Sequence, residues 1–455
     1  MTDLRKLAIK NLKGSDEEMR VSWMLNNMSE NKTFKYLSRN DHLNNEEELL
    51  KLLKERYTNY RDQWRSNPKF AIDNKLVGKN FEKSNLKPLC IDIETASVCD
   101  LACPHCYRQF IATPDKIMSK DLAFKIIDQA SKLNVPSMKF NWRGEPLLNP
   151  ALPEIIDYAK KRGVLETIIN TNATKLDNEM SLKIINSGLD LMIYSFDGGT
   201  KQSYEKMRPG RFKKNNFDEI YNNILNFSKL KKKLNSEFPR TKIQMVLTDD
   251  TFKEQEEYFS LFKDIVDDVS VKQYTERGGK ISDIGEDYLR AACSNENLEK
   301  TNNNLSIQDI DPNSEIMKDS DGNLFVSKGR LPCEQPYQRM LVTYDGRVSM
   351  CCYDWGSMHP VGYVDELAFK VGEKEYERVK NRADKKEKGF DLMNLEIPKI
   401  FNEPNKKAQT IEQIWYGEDI DYVRTKHVKN SLEDVPICKG CPFKETYNWQ
   451  KINQK

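Results

Sequence analysis

The sequence lacks the features that would place it in a membrane or on a nucleic acid. None of its apolar runs reaches the roughly 20 residues that a membrane-spanning helix needs, and its charged, polar start is not a signal peptide. Neither sign of charge dominates, with 72 basic against 70 acidic residues, so no bulk attraction to nucleic acid or to an anionic membrane is expected. No internal repeat is visible. A chain of 455 residues with this composition is long enough for two or three domains, and we expect it in the cytoplasm.

The sequence does contain ten cysteines, and seven of them have the spacing of cluster ligands. Thiols at such spacings favour a reducing compartment over a secreted, disulfide-bonded protein. Soft thiolate ligands select iron–sulfur clusters or zinc. The seven residues are Cys99, Cys103, Cys106, Cys333, Cys351, Cys438 and Cys441.

The first three of them form a Cys-x3-Cys-x2-Cys triplet within residues 99–106. A 4Fe–4S cube held by only three thiolates keeps one iron open for a small molecule. Zinc knuckles instead pair a Cys-x2-Cys with a second close pair, so a structural zinc site is the lesser alternative. The triplet follows an apolar segment at 89–94 that predicts a short buried strand, and it therefore lies at a strand's carboxyl end, where barrel enzymes place chemistry.

The triplet resembles the signature of the radical S-adenosylmethionine (radical SAM) superfamily. That resemblance implies an open iron that binds the amino and carboxylate groups of SAM, and reductive cleavage of SAM to a 5′-deoxyadenosyl radical. His105 stands where the family carries a ring near the adenine. Arg143, Gly144 and Glu145 resemble the family's Gly-Gly-Glu segment, whose backbone and carboxylate hold the SAM amino group, with Arg143 in place of the first glycine.

A third segment, residues 190–199 followed by Arg208, resembles the fourth strand of the family. In that strand a serine and a later arginine bind the SAM carboxylate, and the resemblance gives these roles to Ser195 and Arg208. Asp197 and Gly198 are interpreted as residues that shape the turn after the strand.

Strand and helix patterns alternate between residues 89 and 273. Six strand candidates are separated by helical patterns, and the last of these helices opens with a capping box at Thr251 and Glu254. Repeated strand–helix units imply parallel strands joined by right-handed crossovers. The pattern therefore predicts an α/β fold with a partial, TIM-like (β/α)6 barrel, which is also the barrel that the resemblance implies.

The remaining cysteines supply ligands for a second cluster. An Asp-Gly hairpin turn places Cys351 near Cys333, and the pair Cys438 and Cys441 adds two thiolates, so that four would close a second cube. A zinc ribbon is the competing interpretation of the same four residues.

This second pattern resembles the SPASM/twitch extension of radical SAM enzymes, in which a cysteine, a Gly-x4-Cys hairpin and a later cysteine pair bind auxiliary clusters. Gly346 to Cys351 matches Gly-x4-Cys, which favours Cys351 over Cys352 as the ligand. The chain has cysteines for one auxiliary cluster only, and so resembles the single-cluster branch of that group.

The patterns divide the chain into four parts. They predict an N-terminal helical extension over 1–84, a radical SAM core barrel over 85–281, a polar linker over 282–332 and a small auxiliary-cluster domain over 333–455. Within the extension, residues 45–57 have the pattern of a capped amphipathic helix that packs as a layer on the barrel. No strand-rich start of the kind that a leader-peptide recognition domain needs is visible.

Two cysteines without a cluster role are candidate catalytic residues. Cys293 and Cys352 could each donate a hydrogen atom to a substrate radical, and an inert, buried thiol is the alternative for both. Cys90 opens the first strand, at the end opposite the expected active site, and is a weaker candidate.

These features predict a radical SAM oxidoreductase or isomerase. The resemblance implies SAM, a SAM-binding 4Fe–4S cluster and one auxiliary 4Fe–4S cluster as cofactors, with a reducing partner such as flavodoxin or ferredoxin. We favour a carbohydrate-type small molecule, such as a sugar or aminosugar, that is oxidised or epimerised. A peptide- or protein-modifying maturase is the alternative within the enzyme class, and an iron–sulfur or zinc scaffold protein is the alternative outside it.

Overall fold

A computed structural model describes most of the barrel and of the segments that pack on it. Two of the candidate residues, Cys293 and Cys441, lie outside the described residues. The described residues are 15–39, 45–106, 108, 115–248, 250–273, 316–318, 324–328, 333–354, 357, 359–366, 368, 407–439 and 448–451.

Helices precede the barrel, and the longest of them begins where the sequence predicts. The Asn45 side chain accepts hydrogen bonds from two backbone N–H groups of the first turn, at 3.1 and 3.3 Å. The helix continues past residue 57 because Tyr57, Tyr60 and Trp64 extend its apolar face. The N-terminal helices are α1 (Ser15–Asn26), α2 (Lys32–Leu37), α3 (Glu46–Asp73) and α4 (Gly78–Lys83).

Six strands then alternate with helices, and each strand pairs in parallel with the next. The predicted α/β fold with a partial (β/α)6 barrel is confirmed. The strands are β1 (Cys90–Ile93), β2 (Ser137–Lys139), β3 (Glu166–Thr171), β4 (Leu191–Ser195), β5 (Arg240–Leu247) and β6 (Asp268–Gln273). The helices are α5 (Lys120–Lys132), α6 (Leu152–Lys161), α7 (Asn178–Ser187), α8 (Lys201–Met207), α9 (Phe217–Lys233) and α10 (Gln255–Phe262).

Strand β5 shows why the barrel has an apolar outside and a polar inside. Ile243 and Met245 are fully buried in the main hydrophobic core, together with residues of the surrounding helices. The alternate residues point the other way, because successive side chains of a strand face opposite sides of the sheet. Among them Lys242 pairs with Asp268 of β6 at 2.7 Å, and Val246 lines the central cavity. The interior of the barrel is therefore available for polar chemistry.

Helix α10 begins later than the sequence predicts. It starts at Gln255, and the Thr251 hydroxyl donates to the backbone carbonyl of Val246 at 2.7 Å instead of capping the helix. The Glu254 carboxylate accepts a hydrogen bond from the backbone N–H of Gly199 at 2.8 Å. Long-range contacts to the loop after β4 therefore replace the local capping box.

The C-terminal part contributes further strands and short helices. Its strands are β7 (Ile316–Lys318), β8 (Leu324–Lys328), β9 (Arg339–Val342), β10 (Arg347–Ser349), β11 (Pro360–Tyr363) and β12 (Asn448–Lys451). Its helices are α11 (Gln335–Gln338), α12 (Ile411–Trp415), α13 (Glu418–Val428) and α14 (Pro436–Lys439).

Strand β9 joins the C-terminal part to the barrel by pairing in parallel with β1. Strands β10 and β11 follow it in antiparallel order, so that one sheet runs β11-β10-β9-β1-β2-β3-β4-β5-β6. Strands β7, β8 and β12 form a separate three-stranded sheet, so the segment expected to be a polar linker contains the strand pair β7 and β8.

None of the described helices combines the length and the apolarity that crossing a bilayer requires.

The N-terminal helices are fastened to the barrel through Glu166, the first residue of β3. This carboxylate is buried, forms an ion pair with Arg20 on α1 and accepts a hydrogen bond from its Nε at Oε1, at 3.0 Å. It also accepts from the hydroxyls of Tyr57 and Tyr60 on α3, at 2.9 and 3.2 Å. Arg20 and the two tyrosines thus cover the amino end of β3. This packing agrees with the helical layer that the sequence predicts for this part of the chain.

We expect Glu166→Gln to loosen the N-terminal helices from the barrel, because Arg20 would keep its charge without the carboxylate. Breaking a buried ion pair typically costs about 3–5 kcal/mol, and the partial exposure of Arg20 places this one towards the lower figure. The measurement is the thermal unfolding midpoint together with the rate of tryptic cleavage before residue 85. Glu179→Gln, which breaks an exposed pair with Lys183, is the control and should change the midpoint little. Equal behaviour of the two variants would contradict this role of Glu166.

Candidate active site

A cavity of about 460 Å³ opens at the carboxyl ends of the parallel strands. Strands β1 to β6 and β9 each contribute a lining residue, so the cavity occupies the mouth of the barrel. Most of the residues singled out in the sequence meet there. The predicted site residues that line it are Cys99, Cys103, His105, Cys106, Arg143, Gly144, Glu145, Ser195, Arg208 and Cys352.

The cysteine loop after β1 is held at this mouth by backbone hydrogen bonds to the segment after α8. The N–H of Ala102 donates to the carbonyl of Pro209 at 2.8 Å, and the N–H of Arg211 donates to the carbonyl of Asp100 at 2.8 Å. Burial raises the pKa of Cys103 to about 12. Such thiols stay protonated at neutral pH until a metal displaces the proton, so cluster assembly on this loop releases protons.

Gly144 lets the segment after β2 touch the cysteine loop. A side-chain carbon at this position would lie 2.4 Å from the carbonyl oxygens of both Ala96 and Val98. The next backbone N–H, that of Glu145, donates to the carbonyl of Val98 at 2.9 Å. A residue larger than glycine would have to push the cysteine loop away, so this close approach explains the glycine.

The Glu145 carboxylate is fixed beside the cysteine loop by three hydrogen bonds. Its Oε1 accepts from the N–H of Leu147 at 3.0 Å and from the hydroxyl of Thr171 at 2.7 Å, and its Oε2 accepts from the N–H of Asn172 at 2.7 Å. Burial raises the pKa of Glu145 to about 7, against the pull of these donors. A cationic group bound next to this carboxylate would stabilise its charged form.

Arg143 directs its guanidinium at Glu94 rather than at the centre of the cavity. Its Nε lies 2.6 Å from Oε1 and its Nη2 lies 2.8 Å from Oε2 of Glu94, and both side chains are buried. Glu94 Oε2 also accepts from the backbone N–H of Tyr344, at 3.2 Å. Arg143, which replaces a glycine of the family, therefore connects the segments after β1 and β2 through Glu94, and Glu94 also contacts the C-terminal hairpin.

Asp197 has a larger role than the turn residue that the sequence analysis made of it. Its Oδ2 lies 2.6 Å from Nη2 of Arg208 and 3.2 Å from Nε2 of His105, and its Oδ1 accepts from the backbone N–H of Val246 at 2.7 Å. Asp197 thus positions two residues predicted to contact SAM. The spacing could have indicated this, because Asp197 lies two residues after Ser195, the last residue of β4, and an extended continuation of the strand would place both on one side.

The neighbouring Gly198 does shape the turn. Its φ is +148°, and a side-chain carbon there would lie 2.5 Å from the backbone nitrogen of Tyr204. Both the backbone conformation and the lack of space therefore favour glycine.

A second set of thiols surrounds a gap between α11, β10 and α14. Cys333, Cys351 and Cys438 line this gap together with His427. Cys352, the next residue in the turn after β10, lines the large cavity instead. This placement agrees with the sequence-based preference for Cys351 as the auxiliary ligand.

His427 is a member of this second site that the sequence analysis missed. Its Nδ1 accepts from the backbone N–H of Cys333 at 3.3 Å, which leaves the proton on Nε2, 3.6 Å from the sulfur of Cys438. Burial lowers the pKa of His427 to about 4, so the ring is neutral at physiological pH. An N–H directed at a cluster-ligating sulfur is a contact that tunes the reduction potential of such centres.

The residues at the two sites fit the cofactors that the family resemblance implies. Three thiols on one loop face a cavity that also holds a buried carboxylate, Glu145, for an ammonium group. Arg208 Nε is a buried donor that has no hydrogen-bond partner among the described residues, and a carboxylate would satisfy it. No three His, Cys, Asp or Glu side chains within the described stretches gather closely enough to hold a single metal ion.

Comparison with known families agrees with this geometry. The Radical SAM superfamily model matches residues 93–262, and the SPASM model, an iron–sulfur cluster-binding domain, matches residues 333–388. The fold and the site thus define a SAM-dependent iron–sulfur enzyme. Residues 93–262 thus form a radical SAM domain and residues 333–388 a SPASM domain, and the cofactors that these two domains indicate are SAM and 4Fe–4S clusters, as the sequence predicts.

The two curated relatives described below match less than half of the chain. It is 35% identical over 108 residues to a tungsten-containing aldehyde ferredoxin oxidoreductase cofactor-modifying protein of Pyrococcus furiosus, a match that covers 23% of this chain and 30% of the relative. It is 25% identical over 183 residues to the mycofactocin maturase MftC of Mycolicibacterium smegmatis, covering 40% and 44%. The structure of Streptococcus suis SuiB bound to precursor peptide SuiA is similar with a TM-score of 0.48 and 15% identity, covering 90% and 80%. The chain spans less than half the length of these two curated relatives.

The separation of the two adjacent cysteines predicts different effects of their removal. Cys351→Ser should cost the reconstituted protein the auxiliary cluster, which is close to half of the about eight irons expected for two 4Fe–4S clusters. Cys352→Ser, the matched control, should retain the full iron content because its thiol faces the other cavity. Iron analysis and Mössbauer spectroscopy of anaerobically reconstituted protein measure both. Iron loss in the Cys352 variant but not in the Cys351 variant would make Cys352 the auxiliary ligand. Zinc in the reconstituted wild-type protein would show that the second site is a zinc site and not an iron–sulfur site.

Proposed function

We propose that this enzyme acts on a carbohydrate-type small molecule, as an oxidoreductase or an isomerase. When bound, the cluster and SAM together supply a 5′-deoxyadenosyl radical that removes a hydrogen atom from a substrate carbon. The observation that carries the proposal is the single cavity at the barrel mouth. It joins the cysteine loop and the residues assigned to SAM with a wall of polar side chains from the neighbouring strands.

The lining of the cavity supports a polar substrate. The volume of about 460 Å³ also has to hold SAM and the cluster, so only part of it is open to a substrate. Asn141 and Asn170 line it, and the side-chain carbonyl of Asn170 is buried without a hydrogen-bond partner among the described residues. Amide groups of this kind donate to and accept from hydroxyl groups, which suits a sugar or an aminosugar.

We assign the SAM contacts to residues that the fold already holds in place. Glu145 receives the amino group, Ser195 and Arg208 receive the carboxylate, and His105 lies beside the adenine. Asp197 is a positioning residue, because it orients both Arg208 and His105 through its buried carboxylate. Cys99, Cys103 and Cys106 hold the cluster that opens towards the same cavity.

Cys352 is the catalytic residue that we propose for hydrogen return. Its thiol lines the cavity and lies close enough to Lys139 and Arg339 to influence both electrostatically. Donation of its hydrogen atom to a substrate radical would complete an epimerisation, and an electron and a proton from a reducing partner such as flavodoxin or ferredoxin would restore the thiol. Cys293 remains the second candidate donor and lies outside the described residues.

A peptide- or protein-modifying maturase is the second candidate function. Its support is the match over 40% of this chain to the mycofactocin maturase. Against it, the described part of the N-terminal extension is helical and contacts the barrel through Glu166, without the strand-rich start expected of a leader-peptide recognition domain.

The SAM contacts predict a graded loss of affinity. Arg208→Ala should weaken SAM binding by about tenfold or more, because it removes a charge-assisted hydrogen bond, and Ser195→Ala should weaken it less. Equilibrium dialysis of SAM against the reconstituted variants measures the affinity. Lys206→Ala, which removes an exposed lysine of α8, is the control.

With dithionite the wild-type protein should release 5′-deoxyadenosine. Its absence would refute the proposed activity, and wild-type affinity of Arg208→Ala would refute the assigned carboxylate site.

Heavy water distinguishes epimerisation from oxidation. With a substrate that raises 5′-deoxyadenosine formation, hydrogen return by Cys352 should place one solvent deuterium at the reacting carbon, and Cys352→Ala should abolish this incorporation. Mass spectrometry of the product measures it. Cys90→Ala removes a buried thiol that is not among the residues lining the cavity and serves as the control. A product that lacks deuterium and two hydrogens would assign oxidation and remove Cys352 from the mechanism.

A further inference from the structure

A buried imidazole contacts two residues of the auxiliary site. His427, in the last turn of α13, accepts from the backbone N–H of Cys333 through Nδ1 at 3.3 Å, and its Nε2 lies 3.6 Å from Sγ of Cys438. An imidazole nitrogen that accepts a hydrogen bond carries no proton, so the proton of the ring is on Nε2. The ring therefore presents an N–H group to the sulfur of Cys438.

Other hydrogen bonds fix the helix that carries His427. Arg424, one turn earlier on α13, donates from Nε to the backbone carbonyl of Pro336 at 3.1 Å, and the Tyr337 hydroxyl donates to the backbone carbonyl of Arg424 at 3.3 Å. Helix α13 is thus tied to α11, which begins two residues after Cys333. Contacts of this kind orient a side chain that lies next to a metal ligand. The direction of the imidazole is therefore set by the fold itself.

The surroundings of these thiols strengthen a single hydrogen bond. Among the described residues that line the gap, none is Asp, Glu, Lys or Arg, and Met350, Leu432 and Ile437 give it apolar walls. A hydrogen bond is electrostatically stronger in a setting of low polarity than in water. The N–H of His427 therefore acts on Cys438 with little screening.

A carboxylate acts on the same site from outside this lining. Asp354 affects Cys351 electrostatically, and its carboxylate accepts from the Ser349 hydroxyl at 3.0 Å and from the backbone N–H of His359 at 2.9 Å. A negative charge near a cluster lowers its reduction potential, whereas an N–H group directed at a ligating sulfur raises it. The effects of Asp354 and of His427 are therefore opposite in sign.

We propose that His427 raises the reduction potential of the auxiliary cluster by donating its Nε2–H to Sγ of Cys438, and that it is not itself an iron ligand. This inference goes beyond the proposed function and rests on the assignment of Cys333, Cys351 and Cys438 as ligands. Bound to iron, Cys438 is a thiolate and can only accept. Reduction adds negative charge that spreads onto the ligating sulfurs, so the hydrogen bond stabilises the reduced state more than the oxidised state.

A redox titration monitored by EPR tests the proposal on the anaerobically reconstituted holoenzyme. The auxiliary signal is the one that added SAM does not change. His427→Phe keeps a planar ring without an N–H, so the equilibrium constant for reduction should fall by about tenfold, a shift of about 59 mV for one electron. His359→Phe is the matched control, because His359 is not among the described residues that line the gap, and it should leave the potential unchanged.

Two further variants separate the hydrogen bond from the shape of the side chain. The amide nitrogen of His427→Gln is as many bonds from Cα as Nε2 is, so this variant should keep a potential close to that of the wild type. His427→Asn can still accept from the N–H of Cys333 but is too short to reach Cys438, so its potential should fall as in His427→Phe. Loss of packing alone would not produce this order. The comparison of the Gln and Asn variants also decides the question if the Phe variant loses the cluster.

Pulsed EPR of the reduced auxiliary cluster in heavy water gives a second measurement. The wild-type protein should show coupling to an exchangeable deuteron that is absent from the His427→Phe spectrum. Strong coupling to a directly bound nitrogen would instead make His427 an iron ligand and would overturn the proposal.

The proposal is also overturned if the Gln and Asn variants have equal potentials, if both lose the auxiliary cluster, or if the wild-type protein shows no auxiliary signal. Its failure is distinct from failure of the proposed function, because SAM is cleaved at the other cluster. Release of 5′-deoxyadenosine with equal potentials in the two variants would refute only the role of His427. The expected order of potentials without that release would refute only the radical chemistry.

Discussion

The buried ion pair between Glu94 and Arg143 is the contact on which the active site depends. Glu94 follows β1 and leads into the cysteine loop, Arg143 follows β2 and precedes the Gly-Glu segment, and the backbone N–H of Tyr344 in the C-terminal hairpin completes the set. Both side chains are almost fully buried, so loss of either would leave a charge without compensation, at a typical cost of about 3–5 kcal/mol. The Glu94 carboxylate therefore connects the cluster loop, the segment assigned to SAM and the C-terminal hairpin.

The barrel that carries these segments has a polar inner face. Its outer face packs against helices in a continuous apolar core, whereas the inner face carries charged and polar residues on most of its strands. Such an interior is stable only when its charges are paired or reach the open mouth. At the amino end of β3 the pairing comes from the N-terminal helices through Glu166, and Arg339 at the start of β9 pairs with Asp92 of β1.

The turn after β10 divides its two cysteines between two sites. Cys351 faces Cys333, Cys438 and His427, while Cys352 faces the substrate cavity. The Trp142 indole donates to the backbone carbonyl of Cys352 at 3.0 Å and so ties this turn to the segment after β2. Along the chain, one peptide unit separates the cysteine of the auxiliary site from the cysteine of the substrate cavity. A backbone displacement at Cys351 would therefore also move Cys352.

The sequence by itself determined the six strand–helix units, the cysteine triplet and the Gly-x4-Cys hairpin, because each depends on local spacing and on the alternation of apolar residues. It also indicated that Cys351 and Cys352 differ. Only the tertiary structure revealed the pairing of β9 with β1, the contacts of Asp197 with Arg208 and His105, the position of His427 and the pairing of Arg339 with Asp92. These contacts join residues that are up to about 250 positions apart in the chain. Their partners are fixed by parallel register and by burial, which leave no periodic signal in the sequence near any one of them.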